Sequence, residues 1–597
     1  MTDAPDLPRG TEVLALVRRY EPVLRFTAGE MFFPMPVDDY LAQASLWSST
    51  PDGGAATLLV DQGELTPDTH AATARAHPDA YLFLRYAPRS LSRRDLRTWR
   101  RRPDRPRFTG VSRLAAVGLL GRIIDLGMRL SLTLRGRVPG GLVAAAQQQY
   151  ATRPGRDAYH AHVSADGGYV VIQYWFLYAM NDWRTSFSGV NDHESDWEQV
   201  TVYLVGATLD LAWVAFSSHD ETGDDLRRRP DDPDITWVDG THPVVHTGAG
   251  SHSGAYLAGD YLVRVQPEAL ARPVAVLTGI RSVLFPWTRH RRSVGVGIPY
   301  VDYRRGDGVH IGPGTDRPWT ILVDSQTPWV RDYRGLWGLD TADPFGGERA
   351  PAGPRYERSG AIRTSWADPV GWAGLDKVPP TAAAHAEAQG ERIGELDALI
   401  ADLTARIAGG QEELRRAGTG VEALPATVTS ARYGGPGAPA GTTARENAIA
   451  ALRARRRDAQ NERDQLRHVP VGARRPPPHA HLRHRAVPET ATSTGVLLRF
   501  WSGASLSILL VLIGLALLLR LGPVLVVSTG AVLIVMAIEA LLRGRLLVFL
   551  LSVAIVAGNV ALVWLLFTHL RVALGVLAIA AAVAIGIANV RMLLVRR

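Results

Sequence analysis

At 597 residues the chain is long enough for several domains, each burying its own core. The absence of cysteine excludes a disulfide framework, thiolate zinc sites and a cysteine nucleophile. The net charge of +8 calls for an anionic partner, and because much of the excess flanks apolar stretches, a membrane surface explains it more simply than nucleic acid.

The chain begins without a basic stretch and apolar core over Met1 to Arg19, so no secretory signal is expected and the front part is expected to stay where it was made. Residues 13–48 read as a short amphipathic helix, then extended segments at Tyr20–Phe26 and Phe32–Val37, then a helix from Asp38. Glu30, in the turn between the extended segments, reads equally as a turn residue or a site residue. Residues 88–110 are basic and poor in periodic structure. Residues 111–134 are apolar but interrupted by Arg122, Asp125 and Arg129. Central charges are costly in a bilayer, so this stretch is expected to be an amphipathic helix on a membrane or on the domain, or an ordinary core-packing helix.

From 158 to about 300 the pattern is β. Runs such as Tyr169–Tyr178, Leu211–His219, Pro243–His246 and Tyr261–Val265 are aromatic and β-branched, and Gly, Asp and Pro separate them. That spacing predicts a mainly-β sandwich, jelly-roll-like or related and antiparallel, with helical additions. Within it, Asp192–Leu204 begins as a polar turn and becomes an alternating strand. Asp196, Glu198, Val200, Val202 and Leu204 share one strand face, with His193 just before them. Two carboxylates at the mouth of an apolar face need a cation, donors or a raised pKa. With an imidazole beside them they suit magnesium, calcium, manganese or zinc, so His193, Asp196 and Glu198 are the metal candidates. His219, Asp220, His246 and His252 could join from neighbouring strands, with His219 and His252 as candidate general bases. His246 is read as a satisfied core histidine and Trp197 as a core anchor. Residues 334–378 read as a closing segment wrapped on the sandwich.

After Pro379-Pro380 the seam Ile393, Leu396, Ile400, Leu403, Ile407 and Leu414 predicts a coiled coil, paired with a weaker helix through Ile449, Leu452, Ala459 and Leu466. The expected division is a β-domain over 1–380, a helical hairpin over 381–468 offering self-association, a basic Pro-rich linker over 469–495, and a membrane region over 496–597. Apolar runs near 496–519, 521–542, 546–569 and 572–590 approach the roughly 20 residues a span requires. The arginines between them place both termini in the cytoplasm. Only Glu539 and Asn559 are conspicuously polar inside the runs, which favours an anchor over a conduction path.

Two stretches resemble a known family. Arg19-Tyr20-Glu21-Pro22-Val23-Leu24-Arg25-Phe26, followed by Glu30-Met31-Phe32-Phe33-Pro34, is similar to the opening signature of the vacuolar protein sorting-associated protein 62 family, with Glu21 where alanine is usual. His193-Glu194-Ser195-Asp196-Trp197-Glu198 resembles its central motif, and Phe216-Ser217-Ser218-His219 and Gly250-Ser251-His252 stand where its later histidine segments fall. The resemblance covers residues 14–378 and implies a fold more than an activity. More distantly, the central motif is similar to the Gly-His-Arg-His-Asp-Trp-Glu of necrosis- and ethylene-inducing-like proteins. There the first His, the Asp and the Glu help hold a divalent cation used in recognising sphingolipid headgroups. That implies cation ligation by His193, Asp196 and Glu198. Ser195 replaces the second His, and the upstream ligand has no counterpart at its spacing, Asp182 and Asp192 being the nearest acids.

Two functions from different classes follow. One is a membrane-anchored recognition module for a lipid headgroup, glycan or phosphate ligand. The other is a metal-dependent hydrolase of a phosphoester or glycosidic bond, with His219 or His252 as base. The absence of a nucleophile elbow, a phosphate-cradling loop or a zinc-protease motif favours the first. A scaffold acting through the coiled coil is a third reading.

Overall fold

The computed structural model describes residues 10–50, 55–110, 118–119, 121–123, 126–127, 140–217, 223–265, 298–323, 327–339, 349–422, 440–471, 479, 482, 485–488, 496–520 and 522–594. Among these are strands β1 (Val23–Phe26), β2 (Ser45–Ser49), β3 (Thr57–Val60), β4 (Tyr81–Arg85), β5 (Ala158–Asp166), β6 (Tyr169–Asn181), β7 (His193–Val205) and β8 (Leu211–Phe216). They are followed by β9 (Trp237–Val238), β10 (His242–Thr247), β11 (Gly254–Ala255), β12 (Gly259–Val265), β13 (Ile298–Arg304), β14 (His310–Ile311) and β15 (Thr320–Val323).

The centre is the pair β6–β7, which lies in a sheet ordered β15-β5-β6-β7-β8. All 13 residues of β6 are buried, so its sequence reads as one apolar run where a one-sided strand would alternate. Tyr174, Phe176, Val200 and Val202 on one face share a buried cluster with Leu24, Phe26, Val245 and Ile311 of a second sheet, β11-β10-β1-β14. On the other face Leu177 and Trp197 join Trp329, Trp337 and Tyr86, and Val171 and Tyr203 meet Val370 and Leu375. Each such apolar side chain taken from water contributes about 1.5–3 kcal/mol, which fixes the sheet between two layers. Smaller groupings are β3-β2-β4 and the pair β12–β13.

Two features depart from the antiparallel expectation. β1 runs parallel to β10 and β5 parallel to β15. Parallel neighbours need long connections, and both pairs join segments far apart in the chain, which no local pattern reveals. The N-terminal part is also more mixed than expected, with helices Pro67–Ala76, Arg93–Arg101 and Gly140–Tyr150 among the strands. Helix Arg93–Arg101 lies inside the stretch read as poor in periodic structure. The Ser92 side chain accepts the Asp95 N–H at 3.2 Å, an N-cap, and Trp99 alone is fully buried, donating its indole N–H to Gln147 at 3.1 Å. One buried residue among charges leaves no visible period.

Helices Ala382–Glu422 and Ala440–His468 lie against each other, early residues of one beside late residues of the other: Arg392 meets Glu462 at 2.8 Å, and Asp397 meets Arg463 at 3.1 Å. Leu396, Leu403, Ile407, Ile449 and Ala459 are their buried residues. Four helices, Val496–Leu518, Val524–Leu542, Leu546–Thr568 and Leu570–Leu594, are long and apolar enough to cross a membrane. Much of 111–134 lies outside the described residues. The part described rests on those apolar helices: Leu119 joins Leu509, Ala531 and Val535, and Arg122 pairs with Glu539.

Candidate functional site

Ser195 shapes the mouth of β7. Its φ of 56° is left-handed, which costs a non-glycine residue roughly 1–2 kcal/mol and interrupts the strand's alternation. Glu194 and Asp196, two residues apart, consequently serve opposite sides. Glu194 is buried and accepts the N–H groups of Tyr86 (3.2 Å), Ala87 (2.9 Å) and Leu339 (2.9 Å), tying β7 to the layer beneath it. Asp196 turns the other way, toward His252.

His252 sits in the loop between β10 and β11, again at positive φ (55°). Its Nδ1 donates to Asp196 Oδ2 at 2.9 Å, its Nε2 lies 3.8 Å from Glu30 Oε1, and its ring stacks on Tyr178 with centroids 3.8 Å apart. Asn181 donates to the same Asp196 oxygen at 3.1 Å. Glu30 accepts from the Met31, Phe32 and Gly250 N–H groups at 2.8, 3.1 and 2.8 Å. The loop is held from behind by Asp302, which accepts from Ser251, Ser253 and Arg304, each at 2.8 Å. Gly250 has no alternative: its φ is 67°, and a Cβ would come within 2.6 Å of Asp182 Oδ1.

Two further carboxyls complete the group. Glu198 accepts a hydrogen bond from the Ser217 hydroxyl. Asp182 is wholly buried, and its carboxyl oxygens make no well-formed hydrogen bond, although the Ser186 hydroxyl is close enough to favour its charged form. Burial, and then the neighbouring Glu30, push the Asp182 carboxyl well above the ordinary range. Burial, and then Asp196, push Glu198 up to about 8. Burial opposes charge on Asp196 too, but the His252 hydrogen bond leads the effects that outweigh it and hold the carboxylate below its usual range. Burial likewise opposes charge on His252, yet its contacts with Asp196 and Glu30 push it up to about 10. Near neutral pH the group therefore holds an imidazolium between Asp196 and Glu30 and a proton on Glu198.

The candidates from the sequence divide accordingly. Asp196, Glu198, Asp182 and His252 come together, and Glu30 proves to be part of their group and not only a turn residue. His193 is buried beside them, its Nδ1 2.7 Å from the Ser195 carbonyl. Asp192 faces elsewhere: it accepts the N–H groups of Arg184 (2.9 Å) and Thr185 (3.2 Å) and the Thr185 hydroxyl, anchoring helix Trp183–Phe187. His219 and Asp220 lie outside the described residues. His246 is buried, but its Nδ1 has no hydrogen-bond partner, so it is not the satisfied core residue expected, and burial and Arg25 push it down to about 4. Tyr178 and Asn181 escaped the sequence reading, because only the pairing of Tyr178 with Asp196 and of Asn181 with His193 brings them to the site.

Among the described residues the group that does bring three ligating atoms within 4.8 Å of one another is a different one, Asp232, Asp234 and His479. Arg228 lies 3.2 Å from Asp234 and the Arg485 guanidinium forks onto the same carboxylate. Two guanidiniums already balance two carboxylates there, which leaves a divalent cation no net attraction. The contact instead fastens the linker to the β-domain.

No family model matches the chain, and no curated protein matches it. Among solved structures it is similar to NLPPya, a necrosis- and ethylene-inducing protein, in complex with glucosamine (19% identity, 17% of this chain and 44% of that chain, TM-score 0.14). It is also similar to NLPPya in complex with mannosamine (22%, 17% and 44%, TM-score 0.14) and to a structure described as a toxin fold for microbial attack and plant defense (23%, 17% and 44%, TM-score 0.13). The chain spans less than half the length of each of these structures.

Proposed function

We propose that the protein is a membrane-anchored recognition module whose buried carboxylate group binds a divalent cation and, through it, a lipid headgroup, glycan or phosphate ligand. The observation that carries this reading is Asp182: a fully buried carboxyl whose two oxygens make no well-formed hydrogen bond, close enough to Glu30 and Asp192 to feel their charge. Buried polar groups are ordinarily satisfied, so an orphaned carboxyl near Glu30 and Asp192 marks a place for a positive charge. No three of Asp182, Asp196, Glu198 and His193 bring ligating atoms within 4.8 Å of one another as the side chains stand. They would have to turn toward a common point to hold magnesium, calcium, manganese or zinc, and the cation would then supply a charged point for an oxygen-bearing ligand. This chain's own residues set the rest: His252 places one positive charge between Asp196 and Glu30, and Glu194 holds the strand that presents the acids.

The hydrolase reading is less well supported. A His252 held protonated up to about 10 is a hydrogen-bond donor near neutral pH and a poor base. In the proposed architecture the two facing sheets form a sandwich of the vacuolar protein sorting-associated protein 62 type. The paired helices are a coiled-coil hairpin, and the four apolar helices hold the domain at the cytoplasmic face with both termini inside.

The test is calorimetric titration of the purified full chain with each of the four cations in two buffers of different ionisation enthalpy. Cation uptake should release the Glu198 proton together with any that Asp182 holds, and affinity should rise between pH 6 and pH 9. Asp182→Asn and Glu198→Gln should weaken it at least about 10-fold while leaving the fold intact. Failure of all four cations to bind, or equal binding by both variants, overturns the proposal.

A further inference from the structure

Eight arginines lie between positions 93 and 107, of which Arg105 feels the charge of Asp182. Helix Arg93–Arg101 turns Trp99 inward and leaves seven of the eight exposed, none with an ion-pair partner among the described residues. Only Asp95 and Asp104 offset them within the stretch. The eighth, Arg105, lies over the Trp99 ring at 4.1 Å and, with Arg102 and Gln147, lines a depression of about 370 Å³. A run of charge is usually just a solvated face, but its position says more. Eleven residues after Arg107 the chain reaches Gly118, a reach of at most ~40 Å. There Leu119 sits among Leu509, Ala531 and Val535 of the apolar helices, and Arg122 pairs with Glu539. Glu539 is also bonded by Arg543, just beyond the end of its helix, at 2.9 Å. The arginine surface is thus tethered to the end of the bundle that carries Arg543 and Arg545.

We infer that this surface binds the anionic phosphate headgroups of the membrane in which the four helices sit. Guanidinium forks match phosphate oxygens, and the seven exposed arginines present them to solvent, while Asp104 offsets Arg102 and Arg105 in the depression. Each arginine near an anionic leaflet strengthens the contact by about fivefold, within a range that salt shortens. Nucleic acid fits less well: the one aromatic residue of the stretch 93–107, Trp99, is buried and gives bases no stacking platform.

The chain has no cysteine, so Thr98→Cys on the exposed face accepts a single fluorophore. The labelled full chain is placed in nanodiscs of phosphatidylcholine, alone or mixed with phosphatidylglycerol, with a quencher carried on lipid headgroups. Quenching should be at least about twofold greater in the anionic discs and fall with added salt. Replacing Arg97, Arg100 and Arg101 with Gln should abolish the difference. Replacing the exposed Arg453, Arg455 and Arg457 with Gln should preserve it, as should Glu198→Gln, so this inference and the cation proposal fail separately. Equal quenching in neutral and anionic discs overturns it, as does an undiminished response in the Arg97/Arg100/Arg101 variant. Protection of the label by single-stranded RNA at a salt concentration where phosphatidylglycerol gives none also overturns it, in favour of nucleic acid.

Discussion

His252 and Glu198 give the domain a pH dependence whose sign follows from their environments. His252 is raised from 6.5 to about 10, so the stability it contributes is complete below pH 6.5 and is lost as pH rises toward 10. Glu198 is raised from 4.5 to about 8. It favours the folded state in its protonated form, so its contribution is also greatest at low pH and disappears as pH climbs through 8. Both act in one direction. At about 1.4 kcal/mol per pKa unit, each is worth up to roughly 5 kcal/mol. Thermal unfolding of the full chain, followed by tryptophan fluorescence, should show the midpoint falling steadily from pH 5 to pH 10. Glu198→Gln should flatten the profile between 5 and 8, and His252→Gln between 7 and 10. A midpoint that rises over that range would contradict the assigned protonation states.

At the scale of elements, the join between β7 and its neighbours depends on Glu194 more than on any apolar contact. Glu194→Ala strands three buried N–H groups, each at a cost of about 1–3 kcal/mol, and should lower the unfolding midpoint more than Trp197→Phe, which keeps most of its contacts. Accelerated proteolysis within residues 80–90 and 335–339 would report the same loss. Glu194 was invisible as an anchor in the sequence, because strict alternation assigns it to the face of Asp196. The left-handed Ser195 reverses that, and no sequence pattern marks a serine for φ of 56°. By contrast β6, β7 and β8 were legible, since long aromatic and β-branched runs admit few other conformations. The short strands β2 to β4 and the helix at 93–101 carried too few apolar residues to declare a period.

At the scale of the whole molecule, the contacts among the described residues that couple the β-domain to the C-terminal part of the chain include Arg485 on Asp234 and Arg122 on Glu539. The second is fully buried, and Arg122→Gln leaves the Glu539 charge with Arg543 as its remaining partner. That change should cost about 1–3 kcal/mol of docking, whereas the double replacement Arg122→Met with Glu539→Met should be nearly neutral, since the partly exposed Arg543 can turn to solvent. A cross-link between cysteines introduced at Leu119 and Val535 measures this directly. It should form in the parent chain, vanish in Arg122→Gln and return in the double variant. The exposed Arg392–Glu462 pair between the paired helices should matter little, below about 1 kcal/mol, beside Leu403→Ala in their buried seam, at about 2–4 kcal/mol.

The sequence by itself determined the division of the chain into a β-rich front, a pair of long helices and four apolar helices. Each rests on composition and periodicity, which act over neighbouring residues. It also determined that acids and histidines gather near Asp192–Leu204, because burying two carboxylates on one strand face demands compensation from somewhere. Only the tertiary structure decided what compensates them. His252 and Glu30 arrive from segments far along the chain, Asp182 is brought in by its place beside Gly250, and Asp192 is diverted to anchor a helix. The parallel pairing of β1 with β10 and the seating of Arg122 against Glu539 are of the same kind. Charge and register set by distant partners leave no trace in local sequence, and that is where the chemistry of this site is settled.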